Sequence, residues 1–231
     1  MSWSATVITL MPEMYPGPLG HSLIGEALAN QLWQLHLIHL RDFGVGIHQK
    51  VDDTPYGGGA GMVIKPDVAD AAIRAAQAQQ PHAQLIHFSP RGERMSQPLL
   101  RELTGKPVIL LCGRFEALDE RVLEKHQPRE VSLGDFVLTG GDIPAMALID
   151  GVVRLLPGVI GKHESLGEES FGDGDYARLL EYPHYTKPAL WEGRGVPEIL
   201  TQGHHANIDR WRLDQARALT AQRRPDLLKS S

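Results

Sequence analysis

Across 231 residues there is a single cysteine, Cys112. No intrachain disulfide can form, and no cysteine cluster is present to hold zinc. No stretch approaches the ~18 apolar residues of a membrane span. The apolar run Ala5 to Met11 is short and lacks the basic start of a signal peptide, so a soluble cytoplasmic protein without membrane contact is expected. The eleven histidines supply no metal motif. His163-Glu164 has no histidine four positions after it, and His204-His205 are sequence neighbours, so no metal site is expected. A standard dinucleotide fingerprint is missing as well, because Leu10 is followed by Met-Pro-Glu-Met-Tyr-Pro. Gly57-Gly58-Gly59-Ala60-Gly61 is glycine-rich but lacks the Lys-Ser/Thr ending of a phosphate-binding loop.

Net positive charge is also lacking. The formal charge is −5, which argues against a uniformly basic nucleic-acid surface. Its distribution is uneven. Residues 203–231 carry six cations (Arg210, Arg212, Arg217, Arg223, Arg224, Lys229) against Asp209, Asp214 and Asp226, a local +3 that leaves −8 on the rest. A solvated helix face and a contact with RNA phosphates both account for such a cluster.

What is present begins with 42% apolar residues, enough for one substantial core and a small appended domain. Apolar runs at Thr6–Leu10, Leu35–Leu40, Leu85–Ser89, Val108–Cys112 and near Val131–Leu138 read as strands. Helical periods at Leu23–Leu32, Val68–Gln77 and near Pro144–Leu155 separate or follow them. The alternation predicts an α/β fold, a mostly parallel sheet with helices on both faces, over residues 1–160. Cys112, at the end of an apolar strand, reads as a buried, inert thiol. Residues 161–173 are polar and glycine-rich without a hydrophobic period, and predict a flexible interdomain linker. Residues 174–231 form a smaller unit, expected to be helical, with its clearest helix over Ala206–Thr220. Trp211 there reads more readily as core than as a base-stacking platform.

Two segments carry the functional signal. Ser132 to Met146 is a short apolar run closed by Gly140-Gly141, after which a helix begins with Asp142 and Pro144 where a first turn favours an acid and a proline. Leu110 to Arg121 repeats that grammar of buried strand, glycine and acidic helix start. Glycines in such turns let main-chain groups approach a flat ligand closely, and the two loops can face each other. Either one alone is also an ordinary strand-to-helix turn.

Both loops in this order resemble those of the bacterial tRNA (guanine-N1)-methyltransferase family, a knotted SPOUT-type group that uses S-adenosyl-L-methionine. The pattern reappears at Arg41-Asp42-Phe43, Val51 to Met62, Ser89-Pro90, Asp150 to Arg154, Pro157-Gly158-Val159, Glu168 to Phe171, Pro183 to Pro188 and Arg210-Trp211-Arg212. The resemblance thus runs from Val7 to about Leu228. It implies a deep trefoil knot at the cofactor site, a topology that chain-connection rules alone would argue against. It maps cofactor contacts onto Pro90, Gly113, Glu116, Leu133, Gly134, Leu138, Gly140, Gly141 and Pro144. His87, Phe115 and Phe136 stand where the family often has tyrosine. The glycine-rich loop at 57–61 would lie beside the methyl-transfer site, against the target base.

Guanine N1 carries a hydrogen at neutral pH, so its methylation needs a carboxylate for that proton and a cation or N–H donors for O6. Alignment on Ser170-Phe171 places Glu169 where the family usually has its aspartate base, with Glu168 as the neighbouring alternative. Arg154 falls on the family's catalytic arginine. The implied partners are the tRNA anticodon stem-loop, with guanine 37 as target, and a second copy of the chain in a homodimer with composite active sites. The family's magnesium dependence has no legible ligand set here. A related knotted methyltransferase acting on another RNA is the neighbouring reading, and a non-catalytic RNA-binding protein the one from a different class. Retention of both Glu169 and Arg154 argues against the latter.

Overall fold

The computed structural model describes residues 2–161 and 165–229. His163 and Glu164, weighed above as part of a metal motif, lie outside the described residues. The chain divides into two compact units, Met1–Ile160 and Gly161–Ser231.

In chain order the first unit runs β1 (Trp3–Thr9), α1 (Ser22–Ala29), β2 (Trp33–His39), β3 (Asp52–Asp53), β4 (Val63–Ile64), α2 (Pro66–Gln79) and β5 (Gln84–Arg94). It continues through α3 (Gln97–Leu103), β6 (Val108–Leu111), β7 (Ala117–Leu118), α4 (Glu120–His126), β8 (Arg129–Ser132) and α5 (Asp142–Val153). Five strands form one sheet in the order β2-β1-β6-β5-β8, and every pairing in it is parallel.

Strand periodicity explains the layers. Successive side chains point to opposite faces. Val108, Leu110 and Cys112 pack on one side with Ile24 of α1, Leu103 of α3 and Leu148 of α5. Ile109 and Leu111 pack on the other with Ile73 of α2 and Val122 of α4. Both faces of β6 are therefore buried, which is why it reads as an uninterrupted apolar run. Burial of each large aliphatic side chain there stabilises the fold by about 1.5–3 kcal/mol. The helix ends follow local chemistry: Pro66 opens α2, and the Asp119 carboxylate accepts the Arg121 N–H at 3.0 Å to cap α4.

One strand ends earlier than its apolar run predicts. β8 stops at Ser132 rather than continuing to Leu138. The Ser132 hydroxyl donates to the Gly134 carbonyl at 3.0 Å and accepts the Gly134 N–H at 3.3 Å, and the Phe136 N–H closes back on the Gly134 carbonyl at 2.9 Å. Both backbone groups of Gly134 are thus satisfied within the turn instead of in a ladder. β5 is interrupted in a related way. Its register against β8 breaks between Phe88 and Glu93, which lifts Ser89–Gly92 out of the ladder and leaves Pro90 at the sheet's end.

The second unit contains α6 (Ser165–Glu168), the hairpin strands β9 (Leu190–Trp191) and β10 (Arg194–Gly195), and the long helix α7 (His205–Arg223), which contains the expected helical stretch. It is not wholly helical, because Glu192 and Gly193 adopt φ of 49° and 77° and close a two-residue turn between the hairpin strands. Leu179, Tyr182 and Ala216 form its small core. Trp211 is partly buried, its ring 6.4 Å from that of Tyr185. Among the described residues no helix is long and apolar enough to cross a membrane. Three of the C-terminal cations meet local acids: Arg212 approaches Asp209 and Glu168, Arg217 approaches Asp175, and Arg224 pairs with Asp226.

Candidate active site

The two glycine loops that stand out in the sequence are joined directly. The Gly141 N–H donates to the Gly113 carbonyl at 2.9 Å, and Arg114 bridges to Gly140. Side chains are excluded from this contact. A Cβ on Gly141 would lie 2.8 Å from the Cys112 Cα, and one on Gly140 would lie 2.7 Å from the Arg114 side chain. Glycine is required here for close backbone approach rather than for an unusual φ.

Together the loops wall a cleft of about 410 Å³, which also takes in Pro90 from the interruption in β5. All nine positions mapped above, Pro90, Gly113, Glu116, Leu133, Gly134, Leu138, Gly140, Gly141 and Pro144, line it. So do His87, Phe115 and Phe136. Phe115 and Phe136 are half-exposed, leaving two aromatic faces open to a ligand. His87 is buried, and burial lowers its pKa below the ordinary imidazole value, so the ring is neutral at physiological pH. Its Nδ1 lies 3.3 Å from the Leu111 carbonyl, which can only accept, so Nδ1 carries the proton and Nε2 is an acceptor.

Beneath the cleft is a buried ion pair that the sequence pattern does not reveal. Asp142 was expected as a first-turn acid of α5, and it is that, but its side chain is wholly inaccessible to solvent. Arg114 donates to Oδ2 through Nη2 at 2.8 Å and Nε at 3.1 Å, while Thr9 donates to Oδ1 at 2.6 Å and Tyr15 at 3.3 Å. Burial, with the Cys112 and Asp142 groups beside it, holds the Tyr15 phenol far above its ordinary pKa, so it remains a donor. Cys112 is also buried, and desolvation raises its pKa, which keeps it a thiol. Arg114 and Thr9 lie 28 and 133 residues from Asp142, so no local spacing could have signalled the network. Its effect is to pin the Gly113–Phe115 loop to the start of α5. Asp142→Asn should therefore destabilise the protein by about 3–5 kcal/mol, because it leaves the Arg114 cation without its buried counter-charge. Urea unfolding measures this, and a loss below about 1 kcal/mol would mean that water screens the pair.

The end of the glycine-rich loop meets Glu116, one of the residues that line the cleft. The Glu116 N–H donates to the Met62 carbonyl at 3.0 Å, and β4 pairs with β7 immediately beyond. Gly61, at φ 87°, sits so close to Glu116 that a Cβ there would overlap the glutamate side chain. A second cleft of about 780 Å³, lined by residues including Leu10, His39 and Arg41, shares Arg114, Phe115 and Thr139 with the first.

Arg154 and Glu169 belong to different units. Arg154 is the C-cap of α5, half-buried, its N–H bonded to the Asp150 carbonyl at 3.1 Å. Glu169 is half-buried just after α6, and its carbonyl accepts the Gly172 N–H at 2.8 Å. Glu168 is otherwise engaged: its carboxylate accepts the Tyr182 hydroxyl at 3.1 Å and lies 3.6 Å from Arg212. Among the described residues no group of three or more His, Cys, Asp or Glu side chains could hold a metal ion.

A parallel sheet with a glycine-walled cleft outside the carboxyl ends of β5, β6 and β8 defines an α/β protein whose ligand-sized crevice lies where open parallel sheets place theirs. The chain belongs to the tRNA (guanine-1)-methyltransferase TrmD family, whose family model matches residues 3–230. It is 56% identical to the tRNA (guanine-N(1)-)-methyltransferase of Ruegeria pomeroyi over 227 residues, 97% of this chain and 92% of that protein. Similar relatives of the same name occur in Rhodospirillum rubrum, 52% identical over 98% of this chain and 93% of that protein, and in Gluconobacter oxydans, 53% identical over 98% and 95%.

Proposed function

We propose that this protein transfers the methyl group of S-adenosyl-L-methionine to N1 of the guanine at position 37, just 3′ of the anticodon, in tRNA. The observation that carries the reading is the meeting of the two glycine loops in one cleft lined by all nine mapped positions. The cleft suits the donor, since its glycines leave main-chain groups open where any Cβ would intrude. Gly113, Leu133, Gly134, Leu138, Gly140 and Gly141 would hold the adenosine part by backbone groups, with Pro90, Glu116 and Pro144 completing the wall. Phe115 and Phe136 keep the aromatic surface without the family's phenols, and His87 offers an acceptor in place of a hydroxyl donor. When bound, the donor supplies a methyl on a positively charged sulfur.

The chain's own residues prepare the acceptor. Glu169 removes the N1 proton, and Arg154 meets the negative charge that then spreads to O6. Glu168 is held by Tyr182 and Arg212, which favours its neighbour Glu169 for the proton transfer. The loop at 57–61 would close on the target base. Because Glu169 and the cleft lie in different units, the reading includes a symmetric homodimer in which Glu169 of one protomer completes the cleft of its partner. It also includes a deep trefoil knot at the cofactor site. The first unit would be catalytic, residues 161–173 an interdomain linker whose stretch around Glu169 is tied to the second unit, and that second unit the holder of the anticodon stem-loop. Such an enzyme works in the cytoplasm.

Transfer of labelled methyl groups to unmodified tRNA transcripts tests the assignment. A transcript with guanine at 37 should accept methyl and one with adenine there should not, because adenine lacks both the N1 proton and the O6 acceptor. Equal labelling of the two would overturn it.

A further inference from the structure

The residues on either side of Glu169 are each fastened to the same short stretch of the second unit. On one side, the Glu168 carboxylate accepts the Tyr182 hydroxyl at 3.1 Å, and the same oxygen lies 3.6 Å from Arg212. The Arg212 guanidinium also lies over the Tyr182 ring, 4.9 Å from its centroid. These three side chains form a closed triangle of hydrogen bond, ion pair and cation–π contact. On the other side, the Ser170 hydroxyl accepts the Glu181 N–H at 2.9 Å, and the Phe171 N–H donates to the Leu179 carbonyl at 3.0 Å.

The anchor itself is firm. Tyr182 and Leu179 belong to the buried core of the unit, and the Leu180 N–H donates to the Thr220 hydroxyl of α7 at 2.8 Å. Burial and the bond to Glu168 push the Tyr182 phenol up to about 12, so it stays protonated and donating throughout the physiological range. The loop closes tightly behind Glu169. The Asp173 N–H donates to the Gly167 carbonyl at 2.9 Å, and any Cβ on Gly172 would overlap that carbonyl oxygen. Phe171 adopts φ 61°, a left-handed conformation that a bulky residue holds only when its surroundings impose it.

Resting on the reading of Glu169 as general base, we infer that Glu168, Tyr182 and Arg212 are positioning residues: they spend one of two adjacent carboxylates to set the backbone that presents the other. A flexible polar segment would have to order Glu169 anew in each turnover. A clamp on both neighbours removes part of that cost, and misplacement of a reacting group by about 1 Å can cost as much as ~100-fold in rate.

Single-turnover methyl transfer to a guanine-37 transcript tests this with Tyr182→Phe, Glu168→Ala, Glu168→Gln, Glu169→Gln and the double variant Tyr182→Phe/Glu169→Gln. Tyr182→Phe removes one oxygen and keeps the core ring, and should slow transfer ~10-fold while leaving cofactor affinity and the apparent pKa of the pH–rate profile in place. Glu168→Gln, which keeps an acceptor for Tyr182, should retain more activity than Glu168→Ala. The double variant should be no slower than Glu169→Gln alone, because positioning is worth nothing once the base is gone. A Tyr182→Phe rate equal to wild type, or a further ~10-fold loss in the double variant, would overturn the positioning role. Near-wild-type transfer by Glu169→Gln would instead overturn the base assignment on which it rests.

Discussion

Glu169→Gln is expected to slow single-turnover methyl transfer by ~100-fold or more while S-adenosyl-L-methionine binds nearly as before. The amide is close to the carboxylate in size but cannot accept the N1 proton, so the loss falls on the chemical step and not on assembly of the site. Glu169 lies in the second unit, and the nine mapped cofactor positions line a cleft of the first, which is why donor affinity should be spared. Glu168→Gln should cost much less, since Glu168 acts on Tyr182 and Arg212. If Glu168→Gln proved the crippling change, the base would be one residue earlier than proposed.

Gly141→Trp should abolish cofactor binding, measured by calorimetry. The first added carbon already lies 2.8 Å from the Cys112 backbone, so the indole would force apart the two loops that wall the cleft. A thermal transition retained by the variant establishes that the loss is local. The same variant tests the composite site. Mixed with Glu169→Gln protomers, it should yield heterodimers in which one cleft has both an intact Gly141 and an intact Glu169. Random exchange at equal concentrations would then restore about a quarter of the wild-type sites. Activity that stays at the level of the separate variants, despite demonstrated exchange, would mean that each site is built within one chain.

Much of the first unit was legible because its signals are local. β6 alternates its burial between two faces and carries no polar residue, so Val108–Cys112 announces a central parallel strand. The turn at Gly140-Gly141, with Asp142 and Pro144 after it, announces the helix start that the structure contains. The early end of β8 was signalled only by Gly134-Asp135, two strand-disfavouring residues inside the otherwise largely apolar run Val131–Leu138. What ends the strand is a serine hydroxyl satisfying both backbone groups of Gly134, and hydrophobic period does not record that choice. The hairpin at Leu190–Gly195 escaped notice for a related reason, since two-residue strands are too short to show a period.

The sequence by itself determined the α/β class, the acidic starts of α4 and α5, the two glycine loops and, through the collinear series of motifs, the family. These depend on residues within a few positions of one another, whose steric and capping preferences act whatever the rest of the chain does. Only the tertiary structure decided that the loops are bonded through Gly113 and Gly141, that Asp142 is a buried anion held by Arg114 and Thr9, and that Glu168 is tied to Tyr182 and Arg212 beside Glu169. Each of those joins groups 14 to 133 residues apart. Such contacts form because folding removes water from all of them together, and a polar group deprived of water must find a partner wherever the packed chain brings one.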